Sequence, residues 1–194
     1  FSRRVVEIAA SGGVLLSGPG RGITETFGDM IPATDDARRW RALLYEWFNH
    51  PEGRAREAWR QLRPVHRSHT VDTALAILFR TAGIPVQGLT FDSYAIELDD
   101  PASAVVRSIA AQSILPRSVL VDEGRDEVAA ALEPLGIRVL SRRDAPGTDW
   151  VADVSEPLAR THFEDLLIAT RFGEWSMIHH RPFDASDEGR APVS

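Results

Sequence analysis

Apolar positions divide this 194-residue chain into two regimes, with helical spacing up to about residue 83 and short apolar runs alternating with helical stretches after it. Arg4 to Ser11 reads as a short helix with Val5, Ile8 and Ala9 on one side. Val14 to Ser17 is a compact apolar run that predicts a strand, and Gly18-Pro19-Gly20-Arg21-Gly22 turns it into a helix. Thr34 is the predicted cap of a helix carrying Trp40, Leu43, Leu44 and Trp47, which His50-Pro51-Glu52-Gly53 punctuates. A second helix carries Ala55, Ala58, Trp59 and Leu62 until Pro64 stops it. A third, from Ser68 to Thr81, sets Val71, Leu75, Leu78 and Phe79 at helical spacing, and Gly83 closes it. These stripes read as core.

Beyond Gly83-Ile84-Pro85 the pattern predicts strands at Val86–Phe91, Ser118–Asp122, Ile137–Leu140, Trp150–Val154 and Trp175–His179. Helices are predicted between them at Pro101–Gln112, Asp126–Leu132 and Thr161–Thr170. Strand and helix in alternation imply an α/β unit of nucleotide-binding type. Residues 184–194 are polar, rich in Gly, Pro, Ser and Asp, and expected to be disordered. The expected division is therefore 1–83, 84–183 and a 184–194 tail, without internal repeats. The chain starts at Phe1, without methionine, directly in a helical pattern, so it is expected to be a piece of something longer.

Composition narrows the chemistry. There is no cysteine, which removes disulfides, thiolate metal sites and cysteine nucleophiles and agrees with a cytoplasmic location. All 22 residues of the Lys-plus-Arg count are arginine, so a Schiff base, a Walker lysine and a lysine base are excluded and arginine must bind any phosphate. A net charge of −6 argues against a nucleic-acid partner. No apolar run approaches the ~20 residues of a membrane span. His179 and His180 are adjacent in a predicted strand and point to opposite faces, and His66 and His69 have no third ligand at suitable spacing, so zinc is not expected. The glycine turn suits a phosphate: glycines let backbone approach closely, helix N-terminal N–H groups lack partners, and Arg21 adds a cation. Its spacing is neither G-x-G-x-x-G nor a P-loop, and a ligand-free strand-to-helix turn reads the same way.

Arg4-x-x-Glu7-x-x-Ala10-Ser11-Gly12, with Leu15 and Ser17 following, resembles the end of the second lobe of two-Rossmann-lobe (GT-B type) glycosyltransferases. Glu25-Thr26-Phe27-Gly28-Asp29, His50-Pro51-Glu52-x-Arg54, Arg63 and His69-Thr70 are similar to the closing segments of the spore-maturation-protein-like group. The likeness covers about residues 1–83. It implies that Glu7 accepts hydrogen bonds from the ribose hydroxyls of a nucleotide sugar, that Arg4 lies near its diphosphate, and that Arg21 and Gly22 belong to the same binding region. The diphosphate-gripping loop of that family would lie before Phe1.

The second half resembles the single-Rossmann (GT-A type) glycosyltransferases. Ser108-Ile109-Ala110-Ala111-Gln112 and Ser118-Val119-Leu120-Val121-Asp122-Glu123-Gly124 are similar to the "SixxQt" and "eiivvDDGS" words of that family. Trp150-Val151-Ala152-Asp153 stands where a strand leads into its metal-binding DxD, and His162-Phe163-Glu164-Asp165-Leu166-Leu167 where a helix follows. The likeness implies that Asp122 contacts the nucleoside and that Asp153 and Glu156 hold Mg²⁺ or Mn²⁺, although serine and proline interrupt the expected DxD. Asp92 has a status similar to that of Asp122.

The expected fold is α/β and Rossmann-like: a GT-B lobe remnant with a helical closing segment, then a small GT-A-like three-layer unit. The expected function is sugar transfer from a nucleotide-sugar donor to a hydroxyl on a glycan or protein acceptor, with no catalytic base assigned. The alternative is a non-catalytic binding or scaffolding module derived from these folds. A nucleotide module outside sugar transfer is a third reading, resting on the glycine turn.

Overall fold

A computed structural model describes residues 3–86 and 91–178. The chain forms two compact units, Phe1–Phe91 and Asp92–Ser194. The expected tail, and residues 87–90 of the strand expected at Val86–Phe91, lie outside the described residues.

Unit 1 contains α1 (Arg3–Ala10), α2 (Arg21–Phe27), α3 (Ala37–Asn49), α4 (Pro51–Ser68) and α5 (Val71–Thr81). Its core joins Ala9 of α1, Ile23 and Phe27 of α2, Ile31, and Val65 of α4. Three local expectations change. The cap of α3 is Asp36, whose carboxylate accepts from the Arg38 N–H at 2.9 Å, whereas Thr34 turns its hydroxyl to the Asp36 N–H and its carbonyl to the Trp40 indole. Helix α4 runs through Pro64 rather than stopping there. Proline removes one helical hydrogen bond, but Val65 is buried in the core and the His66 ring bonds the Ala10 carbonyl, so packing against α1 carries the helix onward. Helix α5 starts at Val71, where Thr70 accepts from the Thr73 N–H, instead of at Ser68.

The strand expected at Val14–Ser17 is reduced to a single parallel bridge between Ser17 and Ala33. Gln61 of α4 explains how so short a segment stays ordered. Its side-chain amide accepts from the Leu15 N–H at 2.8 Å and donates to the Leu15 carbonyl at 2.9 Å, replacing the backbone of a neighbouring strand. Gln61 is completely buried, and its amide also donates to Glu57.

Unit 2 contains β1 (Tyr94–Leu98), α6 (Ser103–Ala110), β2 (Ser118–Leu120), α7 (Arg125–Leu132), β3 (Arg138–Leu140), β4 (Trp150–Val154) and α8 (His162–Ala169). Its strands form one parallel sheet in the order β3-β2-β1-β4. This is a mixed α/β, Rossmann-like arrangement: the chain winds outward from β1 to β3 and then returns to the other side of β1. Gln112 secures the helical side by accepting from the Phe163 N–H at the start of α8 and donating to the carbonyls of Ala159 and Ser108. The sheet-starting strand β1 escaped the pattern reading. Trp175 to Ile178, by contrast, form no strand; the Trp175 indole donates instead to the Ala169 carbonyl, and His179 lies outside the described residues.

The connection from β3 to β4 contains no helix, so it does not supply the second helical layer that a three-layer sandwich needs. Side-chain ties hold residues 141–149 in place instead. Asp144 accepts from the Ser141 N–H, Arg138 donates to the Pro146 carbonyl at 3.0 Å, and Asp149 accepts from both the N–H and the hydroxyl of Ser93 at 2.7 Å.

Candidate functional site

Parallel strands bring all their carboxyl ends to one edge, and a crevice opens there where neighbouring connections leave in opposite directions. In unit 2 that switch point lies between β1 and β4. The chain leaves β1 through Asp99-Asp100-Pro101, β2 through Val121-Asp122, β3 through Ser141-Arg142, and β4 through Ser155-Glu156. Gly124 makes the return from β2 into α7 in the left-handed region, at φ 62°, and a Cβ there would lie 2.9 Å from the Pro101 ring. Glycine at 124 is therefore what allows the loops after β1 and β2 to close on each other.

The edge is strongly charged. Arg142 pairs with Asp99 and reaches Glu97 at 3.6 Å. Asp99 is the first cause of a raised Arg142 pKa, with Glu97 and Asp122 adding to it against partial burial. Asp122 receives the Ser141 hydroxyl at 2.8 Å and the Arg142 N–H at 3.1 Å, both on Oδ1, and these bonds hold its carboxyl below the ordinary value. Its Oδ2 makes no hydrogen bond among the described residues. Asp153 stands directly opposite Glu97 in the β1–β4 register, so the two carboxylates share one face of the sheet. Glu156 is exposed in the loop after β4. Among the described residues, no three His, Asp or Glu side chains converge as a metal-binding set.

The fold thus brings Asp122, Asp153 and Glu156 to one sheet edge and adds Glu97, Asp99 and Arg142, which sequence reasoning did not single out. A signal for Asp99 was available in the apolar run ending in Asp99-Asp100-Pro101, whereas the place of Arg142 beside it depends on the sheet order. Asp92 belongs elsewhere. It precedes β1 and accepts from the Trp150 indole at 3.0 Å, at the amino edge of the sheet.

In unit 1 the expected residues Arg4 and Glu7 lie on α1, and Arg21 and Gly22 on α2. Glu7 is half-exposed and ion-paired with Arg3 at 2.7 Å, and Arg21 pairs with Glu25 at 2.7 Å. Arg4 is exposed, and Gly22 lies in the first turn of α2. The glycine turn makes no use of its freedom: none of Gly18, Gly20 and Gly22 has a positive φ, and added Cβ atoms at Gly18 and Gly20 would meet open space. A hollow in this unit is lined by other residues. It is a groove of about 630 Å³ whose walls include Val14, Trp47, Phe48, Arg54, Trp59 and Leu62. No helix of the described residues is long and apolar enough to cross a membrane. No family model, curated protein or solved structure matches this chain.

Proposed function

We propose that unit 2 binds a nucleotide sugar at the carboxyl edge of its sheet and serves transfer of the sugar to a hydroxyl on a glycan or protein acceptor, as a GT-A-like unit that follows a GT-B lobe remnant in the chain. The observation that carries this reading is Asp122 at the parallel-sheet edge, with one carboxylate oxygen saturated by Ser141 and Arg142 and the other open. An ionised carboxylate fixed in this way accepts a hydrogen bond from a nucleoside N–H or hydroxyl. Arg142 supports an anionic donor with a delocalised cation at the same edge. Asp153 and Glu156 are the carboxylates assigned to Mg²⁺ or Mn²⁺, an ion that needs only one or two protein carboxylates when phosphates complete its shell. Bound there, it offsets the charge on the departing diphosphate. In the transfer, the bond from the anomeric carbon to the diphosphate oxygen breaks and one to the acceptor oxygen forms, with loss of the hydroxyl proton.

A second reading, a non-catalytic binding module, is favoured by one observation. Arg142 already pairs with Glu97 and Asp99, so part of the acidic edge carries its own cation without a metal. Thermal unfolding with UDP- and GDP-sugars, with and without Mn²⁺, tests both. Donor at 100 times its Kd stabilises the protein by about 2.7 kcal/mol, and Asp122→Asn removes most of that shift. Stabilisation without sugar release or transfer selects the binding module. No shift with any nucleotide sugar overturns the sugar-transfer reading and favours a scaffolding module.

A further inference from the structure

The groove of unit 1 is separate from the site proposed above and has its own chemistry. Leu15 and Ser17 make their backbone hydrogen bonds on one side of the 14–17 segment: Leu15 to Gln61, and Ser17 to the Pro32 carbonyl and the Thr34 N–H. Val14 and Leu16, the alternate residues, have N–H and carbonyl groups with no hydrogen bond among the described residues. Along an extended chain these two groups recur about 7 Å apart, the two-residue repeat of a strand. Both residues are half-buried, and Val14 is also a wall of the groove. The groove beside this open edge is apolar, with the aromatic rings of Trp47, Phe48 and Trp59, and its one charged wall residue is Arg54. The Arg54 guanidinium has no hydrogen bond or ion pair among the described residues.

We infer that this groove docks an extended peptide that adds a strand to Val14–Leu16, seats a bulky apolar side chain among the aromatic rings, and sets an acidic side chain against Arg54. An open edge supplies main-chain affinity and adjoining pockets supply side-chain choice, which is how strand addition recognises peptides. A small planar anion would satisfy the rings and Arg54 but would leave the two backbone repeats unmet. A repeating row of donors and acceptors beside an unpaired cation is matched by a strand that carries a carboxylate.

The test is calorimetric titration of the whole chain with the acetylated, amidated peptide Thr-Val-Thr-Leu-Thr-Asp-Thr. Saturable binding is expected. N-methylating the residues of one strand edge should weaken it about tenfold or more, since the Val14 and Leu16 carbonyls then lose their donors. Ala55→Trp, at an exposed position that faces the groove, should abolish binding by filling it. Arg54→Glu should weaken binding about fivefold or more, and exchanging the peptide's Asp for Lys should restore it. Both variants alter exposed side chains, so circular dichroism should be unchanged. Absence of saturable binding overturns the inference, as does binding indifferent to N-methylation and to Arg54→Glu. So does saturable binding of indole-3-acetate in the groove when the peptide does not bind.

Discussion

The two units treat similar apolar patterns differently. In unit 2, β2 is wholly buried, β1 is buried at every residue except Glu97, and α6 buries Val105, Val106 and Ile109. In unit 1, α5 buries only Ala76, while Val71, Ile77 and Leu78 are 75%, 57% and 61% exposed. Helix α3 likewise buries Trp47 and leaves Tyr45 and Phe48 open. Apolar periodicity therefore dictates the helix in both units, but among the described residues the apolar faces of α3 and α5 are left largely uncovered. Backbone groups follow the same division. The inner strands β1 and β2 of unit 2 are paired on both sides, whereas Val14–Ser17 relies on a glutamine side chain and a single bridge.

The widest separation should appear in paired truncations. Ile96→Ala, in the middle of β1 and fully buried, should cost about 2–5 kcal/mol in urea unfolding through lost burial and a cavity. Leu78→Ala, an exchange of comparable size on α5, should stay within about 0.5 kcal/mol because its side chain is already in water. A large loss at Leu78 would mean that α5 is covered in solution, and the contrast between the units would fail.

Gln61→Leu comes next. It keeps the volume but strands the Leu15 N–H and carbonyl, costing about 1–3 kcal/mol, and amide exchange at Leu15 should accelerate. Unchanged exchange would show that water or another group replaces Gln61. In unit 2 the matching test is Gly124→Ala, which forces a Cβ into the left-handed region and against Pro101 and should cost about 1–2 kcal/mol.

These positions also show what the chain discloses before it folds. The alternation after Gly83 was enough for a parallel α/β unit, because β2, β3 and β4 are short apolar runs, with helical stretches before β2, between β2 and β3, and after β4. Strand β1 was missed because Glu97 interrupts its apolar run and because Asp92 looked like a strand end, whereas it precedes the strand. Asp122, Asp153 and Glu156 were singled out through the family resemblance, at or just after the ends of predicted strands. Arg142 was not, since its meaning depends on β3 lying two strands from β1, which only the sheet order reveals. Gln61 had no signal at all: a polar residue on an amphipathic helix reads as solvated until a strand fragment is found against it. The 14–17 segment has strand composition without strand neighbours, so local pattern and tertiary pairing part company there.

The smallest expected effect is acid sensitivity, and it also separates the units. Asp122 and Asp149 are held below the ordinary value of 3.8, Asp122 chiefly by the Ser141 hydroxyl and Asp149 chiefly by the Ser93 hydroxyl, and both lie in unit 2. A carboxyl whose folded pKa is depressed adds stability above its unfolded pKa and loses it as the pH falls through the folded value. Folded-state contributions from these two should thus be complete above about pH 4 and fade below it. Ser141→Ala removes the leading cause at Asp122, so that residue should titrate closer to 3.8 in carboxyl-detected NMR, with Asp149 unmoved; Ser93→Ala should do the reverse. Both are exposed, so the effect on stability is small and the titration itself is the measurement that decides. If Asp122 titrates at its ordinary value in the unaltered chain, the Ser141 and Arg142 bonds are not fixing its carboxylate. The open oxygen that carries the nucleotide-sugar reading would then lose its orientation.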